Sequence, residues 1–397
     1  MISFEVTEGY NELRQTIIGG KITGIWKKDS FFKGSSSYPI PNFKYYTSEY
    51  CDFEKNIISE NSKMIYHLNG YGTKHNEALS SFLGESTERY TFSSYYKLLG
   101  DRIVKGTRKD LVKIYGEKNI CDVNTLNGFF SREDKNEYLS EDDEIKWIKM
   151  NSLENPGENI LIPLQMAVSD SGELYADEKK FMPAAVSTGT ACHESFIKSM
   201  ENALIEYMQI DSFNLWWYGG CKGNEIKVDM KSIMSCYFNS PVSMKDFMNK
   251  FEVKFTDISF DKDFDIIVCE IFGTAPDVPK YTVGVQGGIG LEKCIYRGFM
   301  ECLAVLEYNM HVLWIDNEIF KNNKEKTYNL IKNACNLSRY ACFMNITLPE
   351  FDKLNLSVTR VVLPELLPIC LPSYPPFHHS RYKTIGGIRN EYPHPLA

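Results

Sequence analysis

Three times along this chain a short run of small residues leads directly into a long amphipathic segment that carries acids. Asn69-Gly70-Tyr71-Gly72 precedes a stretch from about 76 to 96. Ser187–Thr190 precedes one from about 194 to 218, and Gly287-Gly288-Ile289-Gly290 one from about 291 to 309. This weak internal repeat predicts three helices, each opening at a small-residue loop. Between them lie strand-like runs: KMIYHL (63–68), the apolar stretch 161–168, FDIIVCEIF (264–272) and the start of SVTRVVLPELLPI (357–369). Long helices mixed with separated strands argue for an α+β or α/β body over a sandwich or a bundle. The most polar part, SREDKNEYLSEDDEIK (131–146) with Pro156-Gly157 beyond it, reads as a surface excursion or rim. Residues 1–60 are broken by Gly19-Gly20, Gly34-Ser35-Ser36-Ser37, Pro39 and Pro41. They read as an N-terminal extension packed on a core domain of 61–397.

Composition excludes several classes. The 397 residues hold 44 Lys plus Arg against 52 Asp plus Glu, a formal charge of -8. Bulk attraction to nucleic acid or anionic lipid is therefore not expected. No apolar run reaches the roughly 18 residues that span a bilayer. The first residues, with Glu5 and Glu8, lack the basic-then-apolar order of a signal peptide. The expectation is a cytoplasmic protein with no membrane partner. Eleven cysteines, scattered without a CxxC pair, point to thiols in a reducing compartment, not to disulfides or structural zinc.

The chemical candidates sit on the three helices. In GESTERY (84–90), Glu85 and Glu88 project from one face, with Arg89 one step around. Two carboxylates that close are costly to bury without a compensating cation. A divalent ion carrying phosphate oxygens would compensate them, because Mg²⁺ prefers hard oxygen ligands. A solvated acidic face is the alternative. On the second helix, Asn202, Glu206 and Gln209 share a face, and the two amides could donate to a phosphate or a ribose. A hydrated polar face would look the same. On the third, Arg297 and Glu301 stand at i and i+4. They form either a helical salt bridge or a phosphate contact with a metal ligand beside it. The GGIG loop could offer backbone N–H groups to an anion. It matches neither the P-loop nor the GxGxxG fingerprint.

Taken together, in order, these pieces resemble the YcaO-domain family of ATP-dependent peptide-backbone-modifying proteins. The matching pieces are GYGTKHNEALSSFLGESTERY (70–90), STGTACHESFIKSMENALIEYMQIDSFNLWWY (187–218), GGIGLEKCIYRGFME (287–301), VVLPELLPI (361–369) and the terminal NEYPHPLA (390–397). The resemblance spans about 60–397. It implies one α+β domain with mixed or antiparallel sheets, in which acidic helices line a nucleotide site. It also implies ATP and Mg²⁺ as cofactors. Carried over by position, Glu85, Glu88, Glu206 and Glu301 resemble metal ligands. Ser187, Glu194, Lys198, Asn202, Gln209, Arg89 and Arg297 fall where nucleotide contacts are expected. Arg297, His394 and Pro395 are the candidates for the reaction itself; His394 between two prolines would position the tail or carry a proton.

Family members phosphorylate the oxygen of a tetrahedral backbone adduct, and loss of phosphate leaves an azoline where Cys, Ser or Thr attacked. Others make thioamides or amidines. The implied function is thus ATP-dependent cyclodehydration of a ribosomally made precursor peptide to thiazoline or oxazoline. The implied partners are that peptide and a separate leader-recognition protein, since residues 1–60 are too short and broken for a winged-helix module. A homodimer or heteromeric complex follows. The chain departs from the family pattern at Gln209, where a carboxylate is usual, at Ile210, where an arginine is usual, and at Lys198, where a glutamate is common. Tyr71 stands where many relatives have lysine, and Ala397 where fuller tails place proline. These departures keep a second reading open, a catalytically weakened scaffold in a peptide-modifying complex. An unrelated small-molecule ligase is the third.

Overall fold

The computed structural model describes residues 8–19, 24–27, 30–51, 67–129, 138–168, 177–179, 186–238, 241–276, 278–313, 329–369 and 378–390. The helices that matter for function are α1 (Glu8–Ile18), α2 (His75–Ser94), α3 (Phe196–Trp217) and α4 (Leu291–Leu313). The last three open where the small-residue runs predict them. Ser195 caps α3 by accepting the Lys198 N–H. α4 runs beyond the expected 309.

Three sheets surround these helices. The first joins β1 (Phe32–Ser35), β2 (Lys44–Glu49) and β3 (His67–Gly72) in that order. The second runs β4 (Ile103–Thr107), β5 (Glu144–Ser152), β12 (Cys342–Asn345), β13 (Ser357–Val362), β7 (Thr190–His193), with β6 (Asn159–Pro163) also on β5. The third runs β11 (Tyr281–Gly288), β10 (Asp265–Gly273), β9 (Phe251–Asp257), β8 (Asn224–Ile226). Every pairing between these strands is antiparallel. The fold is α+β, and of the two expected sheet types the antiparallel one holds.

The continuous apolar run of β10 has a simple cause: both faces are covered. Ile266 and Val268 pack with residues of α3, while Ile267, Cys269 and Ile271 pack with residues of α4. α3 therefore lies between two sheets, against β13 and β7 on one side and β11 on the other. α2 packs on β3 and β7. The three acid-bearing helices are thus packed on the same set of sheets, α2 on the first and second, α3 on the second and third, and α4 on the third.

Two segments differ from their sequence reading. Asn69–Gly72, read as a loop, is strand β3, and the described strand begins only at His67. The glycines serve close packing there: a Cβ at Gly70 would lie 2.2 Å from the Phe82 backbone nitrogen. The polar stretch read as a rim contributes β5, paired with β4, β6 and β12. Its charges are interspersed with buried Ile145 and Trp147 on one face and Ile148 and Met150 on the other, so both faces contribute to the core despite the overall polarity. The segment before residue 60 is woven into the body: β2 pairs with β3 along its whole length, and Ser37 bonds Glu307 of α4 through both its N–H and its hydroxyl, each at 2.9 Å. No described helix is long and apolar enough to cross a membrane, and the ten described cysteines are free thiols.

Candidate functional site

Carboxylates from all three helices come within electrostatic reach of one another. On α2, the Glu85 and Glu88 side chains remain 29% and 17% exposed, and Arg89 Nε lies 3.8 Å and 3.7 Å from them. On α3, Glu206 Oε2 accepts the Gly189 N–H at 3.0 Å. On α4, Glu301 Oε2 accepts the Val285 N–H at 2.8 Å. Glu88 feels the charges of Glu206 and Glu85, and Glu301 feels that of Glu206. Four acids drawn this far out of water are costly to keep ionised.

Their protonation reports that cost. Burial, only partly offset by Arg89, holds Glu85 above its ordinary range. Glu88 is raised well above it by burial, and further by Glu206 and Glu85. Burial pushes Glu206 to about 7, against Arg89, the Gly189 hydrogen bond and Arg360. Burial also pushes Glu301 to about 7, against the Val285 bond and Arg297, with Glu206 adding to the rise. Burial of its hydroxyl raises the partly buried Tyr71 at the end of β3, with Glu301 and Glu85 adding to the rise and Arg297 opposing it.

Arg297 does not close the i, i+4 pair. Its guanidinium lies 3.6 Å from Glu77 and over the Tyr71 ring at 5.8 Å, while Glu301 bonds the backbone of β11. Ser187 belongs to the turn whose carbonyl accepts the Thr190 N–H at 2.8 Å, which presents Gly189 to Glu206.

The other expected contacts have protein partners or are exposed. Gln209 is buried, and both ends of its amide bond β11: Nε2 donates to Val285 O at 3.0 Å, and Oε1 accepts the Gly287 N–H at 2.5 Å. It anchors the strand that also bonds Glu301. Asn202 is exposed. Lys198, 58% exposed, pairs with Glu201 at 2.7 Å and does not replace charge among the four carboxylates. Glu194 is exposed and bonds Arg14 of α1 at 2.9 Å. His394 and Pro395 lie outside the described residues.

Sequence reasoning missed two residues here. Arg360 of β13, 2% exposed, donates to Met166 O at 2.7 Å, Thr188 O at 2.8 Å, Thr190 Oγ1 at 3.0 Å and Val186 O at 3.1 Å. It stacks over Phe92 of α2 at 5.0 Å and so ties the 186–190 turn to α2. The only sequence signal was one arginine inside an apolar strand. Glu77, in the first turn of α2, is the other.

These groups suit a divalent ion brought in with phosphates. Among the described residues no three His, Cys, Asp or Glu side chains converge as a closed ligand set. Mg²⁺ rarely uses such a cage; it takes one or two carboxylates and fills the rest of its shell with water and phosphate oxygens. Hard oxygen donors, raised toward neutrality by burial, fit that need. The groove lined by Trp216, Lys222, Glu225 and Lys254, about 380 Å³, lies at and beyond the C-terminal end of α3 and carries none of the expected residues.

Solved structures share this fold. One is a heterocyclase in complex with substrate and cofactor, at 14% identity and a TM-score of 0.67, matched over 98% of this chain and 57% of its own. This chain thus spans little more than half of that heterocyclase. A second is the E. coli microcin synthetase McbBCD complex with pro-MccB17 bound, at 15% identity and 0.65, over 92% of this chain and 96% of its own. A third is YcaO from Methanopyrus kandleri bound with AMPPCP and Mg²⁺, at 13% and 0.57, over 93% and 95%. No curated protein matches the sequence. The family model described as YcaO cyclodehydratase, ATP- and Mg²⁺-binding, matches residues 69–339, which is more than half of the chain and takes in all four carboxylates. The chain belongs to the YcaO family, whose cofactors are ATP and Mg²⁺.

Proposed function

We propose that this chain catalyses ATP-dependent cyclodehydration of Cys, Ser or Thr residues in a ribosomally made precursor peptide, giving thiazoline or oxazoline rings. The carrying observation is that Glu85, Glu88, Glu206 and Glu301, from three helices, come within electrostatic reach of one another, each held above its ordinary carboxylate range. Mg²⁺ and ATP, when bound, supply the transferable phosphoryl group and offset its charge. Glu85 or Glu88 from one side, and Glu206 or Glu301 from the other, would hold the metal. Arg297, 28% exposed and steered by Glu77 and Tyr71, would meet phosphate oxygens. Arg89 would offset part of the burial cost of the two α2 carboxylates. Arg360 fixes the turn whose Gly189 N–H sets the Glu206 rotamer. The peptide and a separate leader-binding protein are the proposed partners, in a homodimeric or heteromeric assembly.

The test is incubation with Mg²⁺·ATP, the leader-binding partner and a Cys/Ser/Thr-rich precursor. Phosphate release matched by loss of one water per ring supports the proposal. Phosphate release without loss of water overturns it. A second reading, a scaffold that holds peptide or partner without turnover, is favoured by one observation: Gln209 and Lys198, at positions where the family commonly carries acids, are committed to β11 and to Glu201. Peptide binding with no phosphate release would support it.

A further inference from the structure

Glu77, which neighbours Arg297, is buried beside the candidate site. Its side chain is 3% exposed. It accepts the Thr73 N–H at 2.9 Å, the Thr73 hydroxyl at 3.3 Å and the Tyr296 hydroxyl at 3.0 Å on each oxygen. Tyr296 is itself fixed, its ring stacked on Tyr237 at 4.2 Å. Space for the carboxylate is made by Gly72, where a Cβ would sit 2.5 Å from Glu77 Cδ. Donors from the β3–α2 connection and from α4 therefore hold one acid in one place.

Among the described residues, the cation that pairs with that fixed acid is Arg297, at 3.6 Å from Glu77 Oε1. We propose that Glu77 is a positioning residue for Arg297: it anchors one side of the guanidinium so that the remaining N–H groups are aimed at the phosphates of the nucleotide. The inference rests on the nucleotide reading of the site given above. It follows from chain geometry. A long, partly exposed arginine loses rotamer freedom on binding an anion, and a buried, immobile carboxylate removes that freedom beforehand. Tyr71 limits the guanidinium from the other face, and Tyr296 precedes Arg297 in sequence, so the helix that bears the cation also helps to fix its anchor.

The experiment is a double-mutant cycle read by calorimetric binding of Mg²⁺·AMPPCP to the full chain, with melting curves for every variant. Arg297→Ala is expected to weaken binding about ten- to a hundredfold, the range for a charge-assisted bond. Glu77→Gln keeps an acceptor for Thr73 but removes the charge; it is expected to weaken binding about three- to tenfold. In the Arg297→Ala background Glu77→Gln should have no further effect. Tyr296→Phe, which keeps the ring stack and deletes one donor to Glu77, should act in the same direction and also vanish in that background. Equal weakening by Glu77→Gln in both backgrounds, or none in either, overturns the positioning role and leaves the nucleotide site intact. Normal binding by Arg297→Ala overturns both.

Discussion

Replacing Glu206 by Gln should stabilise the nucleotide-free protein at alkaline pH while removing its response to Mg²⁺·ATP. Glu206 titrates near 7 in the folded protein, because of burial, against an ordinary value of 4.5. The folded state thus binds more protons than the unfolded chain between about pH 4.5 and 7, and stability falls as pH rises through that window. At pH 8 the ionised group costs about 3 kcal/mol, and at pH 5 under about 1 kcal/mol. Glutamine relieves that cost but offers a weaker acceptor to Gly189, a loss of about 1 kcal/mol. The net gain at pH 8 is about 2 kcal/mol. An unfolding entropy of about 2.1 cal/mol/K per residue over this length converts it to a rise of about 2–3 °C in Tm. The assay is differential scanning calorimetry of both proteins at pH 5 and pH 8, with and without Mg²⁺·ATP. The wild type should gain about 2.7 kcal/mol at a hundredfold excess of ligand over Kd, and Glu206→Gln far less. A Glu206→Gln protein that melts below the wild type at pH 8, or that keeps the full ligand response, would refute the reasoning.

Three further outcomes follow from the same geometry. Affinity for Mn²⁺ with AMPPCP, followed by titration calorimetry, should rise about tenfold from pH 6 to pH 8 for each carboxylate titrating near 7 that must lose its proton, namely Glu206 and Glu301; a flat profile would exclude them as ligands. Arg360→Met leaves several buried acceptors without their donor and should cost at least about 3 kcal/mol, seen as a Tm loss of about 4 °C. Lys198→Ala should change nucleotide Kd less than about twofold, because an exposed pair with Glu201 contributes little; a larger change would return Lys198 to the site.

What the sequence revealed and what it hid have physical reasons. Helices α2, α3 and α4 were legible because a small-residue run followed by periodic apolar positions such as Ala78, Leu79 and Phe82 is a local signal. The acids at 85, 88, 206 and 301 were legible as pairs on faces, and the family resemblance brought them to one place. β3 was hidden, since Gly70 and Gly72 look like a turn until α2 and the Glu77 carboxylate are packed against them. β5 was hidden by its lysines, although the apolar residues between them were present in EIKWIKM. Gln209 could not be placed from sequence: its amide and an amide aimed at a ribose look alike until β11 is known to lie beside it. Glu77 and Arg360 carry no motif; each acts through partners more than 150 residues distant, Tyr296 and Met166 among them.

The central claim is that carboxylates from three helices hold the metal of a metal–nucleotide complex. Crystals grown with Mn²⁺ and AMPPCP, measured for anomalous scattering, test it most directly. The account requires an anomalous peak within direct coordination distance of at least one carboxylate of α2 and one of Glu206 or Glu301, with phosphate oxygens completing the shell and Arg297 against them. A Mn²⁺ peak or nucleotide density elsewhere, with Glu85, Glu88, Glu206 and Glu301 left uncoordinated, would contradict it.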